Sequence, residues 1–333
     1  MSKIEKTVFI GYRNTNSLHA LAICQQLTQH GYDCFLDDDS IVPALPDAVI
    51  LQQIHARAHF VLLLTPSALA DLETPGDRLR LVIETAIASQ RNLVPVTFAG
   101  FDFDTPFFQQ RLAGRLAALR DCRMHFITEG FFEAAVGALI RHSLSISLTV
   151  KLQPVSPKEQ QLVDRVKTGV AQKPPVRERE LIAEQFFERA FWHVEEGRYE
   201  QGVVEYTEAI RLKPDYVEAY NNRGAAHGYQ NDPKSAIADY TEALRLQPDY
   251  AEVYNNRGIA HSHRGHYDAA IADYTEAIRR KPDFPEAYNN RGTSYDHQKK
   301  YAQAIADYEA ALRIDPSFKL AQQNLAIVRQ KKP

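Results

Sequence analysis

Along the first 150 residues, short apolar runs alternate with amphipathic stretches. TVFIGY, DCFLD, HFVLLLTP, NLVPVTF and RMHFI read as strands, while Ser17 to His30, Asp47 to Ala58 and Asp77 to Gln90 carry helical spacing, and a further helix closes the segment. Strands alternating with helices predict a parallel sheet covered on both faces, an α/β domain of flavodoxin-like style. From about Leu181 the pattern changes to helix pairs alone. Pro214, Pro248, Pro282 and Pro316 follow one another at 34-residue intervals, the period of a two-helix repeat.

Other columns keep that register: Gly224, Gly258 and Gly292; Tyr220, Tyr254 and Tyr288; Ala236, Ala270 and Ala304; Tyr206, Tyr240, Tyr274 and Tyr308. Glycine and alanine let paired helices approach closely, the aromatics fill the space between hairpins, and proline ends each second helix. The blocks beginning YNNRG resemble tetratricopeptide repeats over essentially their full length, which implies an all-α solenoid. The block QFFERAFWHVEEGRYEQGVVEYTEAIRLKPD diverges, with Phe186, Ala190 and Gly202 replacing the tyrosine, glycine and alanine, as terminal repeats commonly do. Four repeats and a capping helix over Phe318 to Gln330 are expected.

The resemblance implies that the first helix of each hairpin lines a concave groove where an asparagine grips an extended ligand. Asn222, Asn256 and Asn290 stand at that position, and the adjacent Arg223, Arg257 and Arg291 are expected to bind the partner with them through further polar contacts. A side-chain amide both donates to a peptide C=O and accepts from its N–H, so such a ladder reads backbone. A helix-surface solution multiplied by duplication is the alternative. His261, His263 and His266 are close in sequence, but the repeat register assigns them to an inter-helix slot and a turn rather than to a metal.

Between Lys151 and Glu180, Pro154, Pro157, Pro174 and Pro175 bracket a short helix at Lys158 to Lys167. This composition predicts a linker over 151–180 between a domain at 1–150 and the array at 181–333. The full length of 333 residues suits two such units. A formal charge of -3 without a basic run provides no footprint for nucleic acid or an anionic membrane. Cys24, Cys34 and Cys122 lack disulfide-scaffold or zinc spacing, and neither a signal peptide nor an apolar run long enough to span a bilayer is expected. The expected location is the cytoplasm.

In the predicted sheet, function gathers at the carboxyl ends of the strands, at Gly11 to Asn16, Asp37 to Pro46 and Thr65 to Arg80. G-x-G-x-x-G, Walker and nucleophile-elbow motifs are absent there. Phe9-Ile10-Gly11-Tyr12-Arg13 resembles the first-strand F-I-S-Y-R box of the Toll/interleukin-1 receptor (TIR) domain, with glycine for serine. Phe35-Leu36-Asp37 followed by Ser40, Ile41, Val42, Pro43, Ala44, Leu45 and Pro46 resembles its second strand and BB loop. His59 to Pro66, Pro75-Gly76-Asp77, Asn92 to Pro95 and Gly100-Phe101 continue the likeness, which covers roughly Lys6 to His142.

The likeness implies self-association through the BB loop and, in one branch of the family, cleavage of NAD+ to nicotinamide and an ADP-ribose product. A carboxylate beside the sugar stabilises the oxocarbenium character of that reaction. In the NAD-cleaving branch it comes from a D-W-L-x-x-E-I type motif. Asp77-Arg78-Leu79-Arg80-Leu81-Val82-Ile83-Glu84 puts Val82 at the glutamate and Arg78 at the tryptophan. Glu84 lies two residues on, about 200° around a helix. Asp37 or Asp38 is a substitute carboxylate in a catalytic reading. Arg13 and Asp37 are candidate nucleotide-binding residues; an ion pair of Arg13 with Asp37 or Asp39 is the alternative. Two functions are therefore expected: a signalling or scaffold protein that binds a protein or peptide in the groove and other TIR domains through the BB loop, requiring no cofactor, or an NAD+ nucleosidase regulated by the repeats, acting in cell suicide or antiphage defence.

Overall fold

The computed structural model describes residues 5–37, 41–43, 45–101, 103–146, 148 and 150–331, apart from the side chain of Lys158. The chain divides into two units, Met1–Trp192 and His193–Pro333.

In the first unit five parallel strands, β1 Thr7–Gly11, β2 Asp33–Leu36, β3 His59–Leu63, β4 Asn92–Phe98 and β5 His125–Ile127, lie in the order β2-β1-β3-β4-β5. Their apolar runs make this a buried sheet: every residue of β3 is buried, and Phe9 of β1 stacks on Phe60 of β3 at 5.5 Å between ring centroids. Helices α1 Ser17–Gln29, α2 Asp47–His55, α3 Pro66–Ala70, α4 Arg78–Ala88, α5 Pro106–Arg111 and α6 Phe132–Leu139 connect the strands or close the unit. Thr65 caps α3 and Asp77 caps α4 through side-chain oxygens that accept from Ala68 and Arg80 amides.

The segment expected to be a linker is structured. Pro157–Gln172 forms α7, longer than the predicted Lys158 to Lys167, and buries Val163, Val166 and Val170 in the sheet domain's core. The proline that suggests a linker occupies the first helical position, where its missing N–H removes no intrahelical bond, and Ser156 caps the helix through Glu159 N–H. The next helix, α8 Glu178–Glu195, belongs to the first unit up to Trp192. The division thus falls some forty residues later than 150.

The second unit is all helical: α9 Tyr199–Leu212, α10 Val217–Tyr229, α11 Pro233–Leu246, α12 Ala251–His263, α13 Tyr267–Arg280, α14 Pro285–His297, α15 Tyr301–Ile314 and α16 Lys319–Lys331. The predicted columns meet in space. A Cβ on Gly258 of α12 would lie 2.7 Å from the Tyr274 ring of α13, and Gly224 and Gly292 stand in the same relation to Tyr240 and Tyr308. Only glycine permits this approach. Among the described residues no helix is long and apolar enough to cross a membrane.

Candidate functional site

In an open parallel sheet the ligand crevice lies outside the carboxyl ends of the strands, where the strand order reverses. Here β1 is flanked by β2 and β3, and a cavity of about 190 Å³ opens at the ends of β1 and β2, with α4 as its far wall. Gly11, Tyr12, Arg13, Asp37, Arg78 and Val82 are among its lining residues. A side chain at Gly11 would press on the Phe60 ring. Tyr12 donates its hydroxyl to the backbone carbonyl of Asp37 at 2.7 Å, which ties the ends of β1 and β2 together.

Two arginines dominate this mouth. Arg13 donates Nε to the Ala68 carbonyl at 3.1 Å and Nη2 to Asp77 at 2.9 Å, with Asp71 at 3.7 Å. The expected alternative partner Asp37 is instead 3.3 Å from Arg78; the other, Asp39, lies outside the described residues, as does Asp38. Arg78 also donates to the Leu45 carbonyl at 2.7 Å and reaches Asp47 at 3.3 Å. It therefore fastens the second strand's end, the BB loop and the first residue of α2 to one guanidinium.

Val82 lies on the cavity wall, 6% exposed, on the inward side of α4. Glu84 is not among the lining residues; it accepts from Arg80 Nε at 2.9 Å and Arg115 Nη1 at 3.2 Å. The hydrogen bond from Arg80 is the main cause that holds its carboxyl below the usual range. Of the BB loop, Val42 and Leu45 are buried in the core, whereas Pro43 and Pro46 are exposed; Ser40 and Ala44 lie outside the described residues. Ile41 rests directly on Gly169 of α7, where even a Cβ would overlap it.

In the array, the arginine column is built into the repeats. Arg257 grips Asp273 with both Nε (2.9 Å) and Nη2 (2.7 Å), and donates Nη1 to Thr241 at 3.2 Å. Arg223 with Asp239 and Thr207, and Arg291 with Asp307 and Thr275, repeat the arrangement. Each fork joins the first helix of a hairpin to its own second helix and to the preceding one. The asparagines form a chain as well: Asn256 donates to Asn221 at 3.2 Å, Asn290 to Asn255 at 3.0 Å and Asn324 of α16 to Asn289 at 2.9 Å. Asn222 accepts from its neighbour Asn221 at 3.0 Å. Asn255 and Asn289 are buried, whereas Asn222, Asn256 and Asn290 remain partly exposed. A side-chain amide has two N–H donors, so one donated between repeats leaves the other for a ligand.

His261 lies 3.8 Å from Asp273, and its nitrogen is held below its usual range mainly by burial. Among the described residues no group of three or more His, Cys, Asp or Glu could hold a metal ion. The aspartate and threonine partners of the arginine column are absent from the sequence reading, although the repeated D-Y-T triplets at Asp239 and Asp273 keep the same 34-residue register.

Residues 8–130 match the TIR domain family, and four tetratricopeptide families match at 193–231, 217–250, 239–272 and 260–317. The chain is a TIR domain followed by tetratricopeptide repeats. A stretch of 102 residues is 31% identical to NAD(+) hydrolase tir-1 of Caenorhabditis elegans, covering 29% of this chain and 10% of that protein. The chain therefore spans about a tenth of the curated relative it matches. The tetratricopeptide part is similar to the crystal structure of MamA, at 24% identity over 43% of this chain and 83% of that one, with a TM-score of 0.41. It is similar also to the first tetratricopeptide domain of Spaghetti (RPAP3), solved with an HSP90 peptide, at 23% identity over 34% and 91%, with a TM-score of 0.34. A TIR domain joined to tetratricopeptide repeats supports a role in signalling or protein interaction.

Proposed function

We propose that this chain is a cytoplasmic signalling scaffold: its repeat groove takes an extended protein or peptide segment along Asn222, Asn256 and Asn290, and its TIR domain assembles with other TIR domains through the BB loop. It requires no cofactor. The observation that carries the assembly reading over catalysis is Val82 on the crevice wall at the family's glutamate position. Around it, Asp37 faces Arg78 and Asp77 binds Arg13, so the lining carboxylates are engaged by cations. The cavity of about 190 Å³ is also small against the roughly 300–1,000 Å³ of ordinary ligand pockets. These residues do not fit NAD+ as a group to be cleaved.

The second reading, an NAD+ nucleosidase regulated by the repeats, is favoured by the likeness to the worm NAD(+) hydrolase over 102 residues. NAD+ loss on incubation with concentrated protein separates the two. We expect no turnover from the native chain or from Glu84→Ala, and robust turnover by the native chain would overturn the assembly reading. Turnover gained only in Val82→Glu would mark the crevice as a catalytic pocket that lacks its carboxylate. For the groove, replacing Asn222, Asn256 and Asn290 together by alanine is expected to weaken partners recovered by pull-down; unchanged recovery would count against the ladder.

A further inference from the structure

Helix α8 carries two carboxylates sealed from solvent against the TIR domain. Glu188 is fully buried: Ser67 N–H donates to its Oε2 at 2.9 Å, Asn16 Nδ2 donates to Oε1 at 2.6 Å, and Ser67 Oγ also contacts Oε1. One turn earlier Glu184 accepts from the Leu18 and His19 amides at 2.9 and 3.1 Å and lies 2.6 Å from His19 Nδ1. The amides of Leu18, His19 and Ser67 are first-turn groups of α1 and α3, which lack partners within their own helices. These helices start just after β1 and β3, the strands between which the sheet reverses its order.

The repeat register shows which side of α8 is used. Glu188 stands 34 residues before Asn222 and so in the groove-asparagine column, and Glu184 stands in the column of Glu218, Glu252 and Glu286. In α10, α12 and α14 these positions are partly or fully exposed; in α8 they are buried. The side of the helix that faces outward in the later repeats is, in the first, turned onto the TIR domain.

We propose that α8 is a detachable latch, a helix whose groove side is held by the TIR domain through Glu184 and Glu188 and whose release transmits partner binding on the array to TIR assembly. This rests on the interaction reading above. Two features suit a reversible contact. Paired carboxylates are a costly way to anchor a permanent core helix, since apolar residues of similar size are often as stable or more so. The start of α8 also packs incompletely: a cavity of about 500 Å³ opens among Ala22 and Gln25 of α1, Phe132 of α6, and Leu181. Glu188 takes up a proton near neutrality, so holding it as a carboxylate carries a cost that release removes.

Hydrogen exchange on the full chain tests the latch. In Glu184→Gln/Glu188→Gln, peptides covering the starts of α1 and α3 and the length of α8 are expected to exchange at least about tenfold faster, with β3 and α4 unchanged. Sedimentation velocity of the same variant is expected to show raised self-association. Unchanged exchange, or faster exchange throughout the first unit, would overturn the latch and leave α8 an ordinary core helix. Local release without a gain in self-association would overturn the assembly reading instead. Glu188→Asp, one methylene shorter, serves as the milder variant where the double substitution fails to fold, and the same outcomes apply.

Discussion

At Glu188, burial and hydrogen bonding act on one carboxyl group in opposite directions. Removal from water favours the neutral acid, whereas donors from Ser67, Asn16 and Thr65 favour the carboxylate; burial prevails and the pKa rises from 4.5 to about 7. The folded protein therefore keeps a proton that the unfolded chain has lost between those values. Stability from this group is fully present below pH 4.5 and is lost as pH rises through about 7. The full change is on the order of 3 kcal/mol. On the same interface Glu184, one turn earlier on α8, lies 2.6 Å from His19 of α1. Denaturation midpoints of the first unit in the native chain, compared with Glu188→Gln from pH 5 to 8, are expected to show this slope only in the native chain. A slope common to both would assign it to other groups. Neither carboxylate was legible in the sequence, because a glutamate on an amphipathic helix reads as a solvated residue until a second surface covers it. Val82 and Arg78, by contrast, could be placed in advance from the spacing after Asp77, because α4 starts at its cap without a shift in register.

At the scale of elements, the hairpins α10–α11, α12–α13 and α14–α15 owe their regularity to contacts that recur in all three. Tyrosine rings sit where glycine leaves room, and arginine forks bind the neighbouring aspartates in two-point contacts that are largely shielded from solvent. Arg257→Ala is expected to destabilise the array by roughly 1–3 kcal/mol, below the figure for a fully buried pair because the guanidinium keeps some exposure. Arg245→Ala removes a surface pair with Glu242, screened by solvent, and is expected to cost clearly less than Arg257→Ala. Equal losses in chemical denaturation would show that the forks add nothing beyond surface charge. The 34-residue period made these hairpins readable as elements, since each packing contact leaves a column. α7 was harder to read: Pro157 marks its beginning rather than a break, and the spacing of Val163, Val166 and Val170 gives its apolar side. Short α3 and α5 left no periodic signal at all, being little more than one turn each.

The described residues fall into two compact units, the first with a core around the TIR sheet and the second with several buried clusters along the repeats. Calorimetry is expected to resolve two transitions. Gly258→Ala forces a methyl group against the Tyr274 ring and should lower only the repeat transition, at a cost of about 1–3 kcal/mol. Val61→Ala opens space in the buried strand β3 and should lower only the TIR transition, by roughly 2 kcal/mol. A single transition shifted by both would show one cooperative body. The division after Trp192 was not visible in the pattern, because α8 has the spacing of a repeat helix while its buried carboxylates belong to the TIR domain.

The forks and the asparagine chain also bear on how such an array changes length. Every interior hairpin presents the same partners at the same offsets, so loss of residues 251–284 would bring Thr241 to Arg291 where Thr275 now stands, and Asn221 to Asn290 in place of Asn255. A recombination event that adds or deletes 34 codons in frame rejoins matching surfaces wherever it falls within these repeats. This shared register keeps the array open to lengthening or shortening by unequal exchange within α10 to α15.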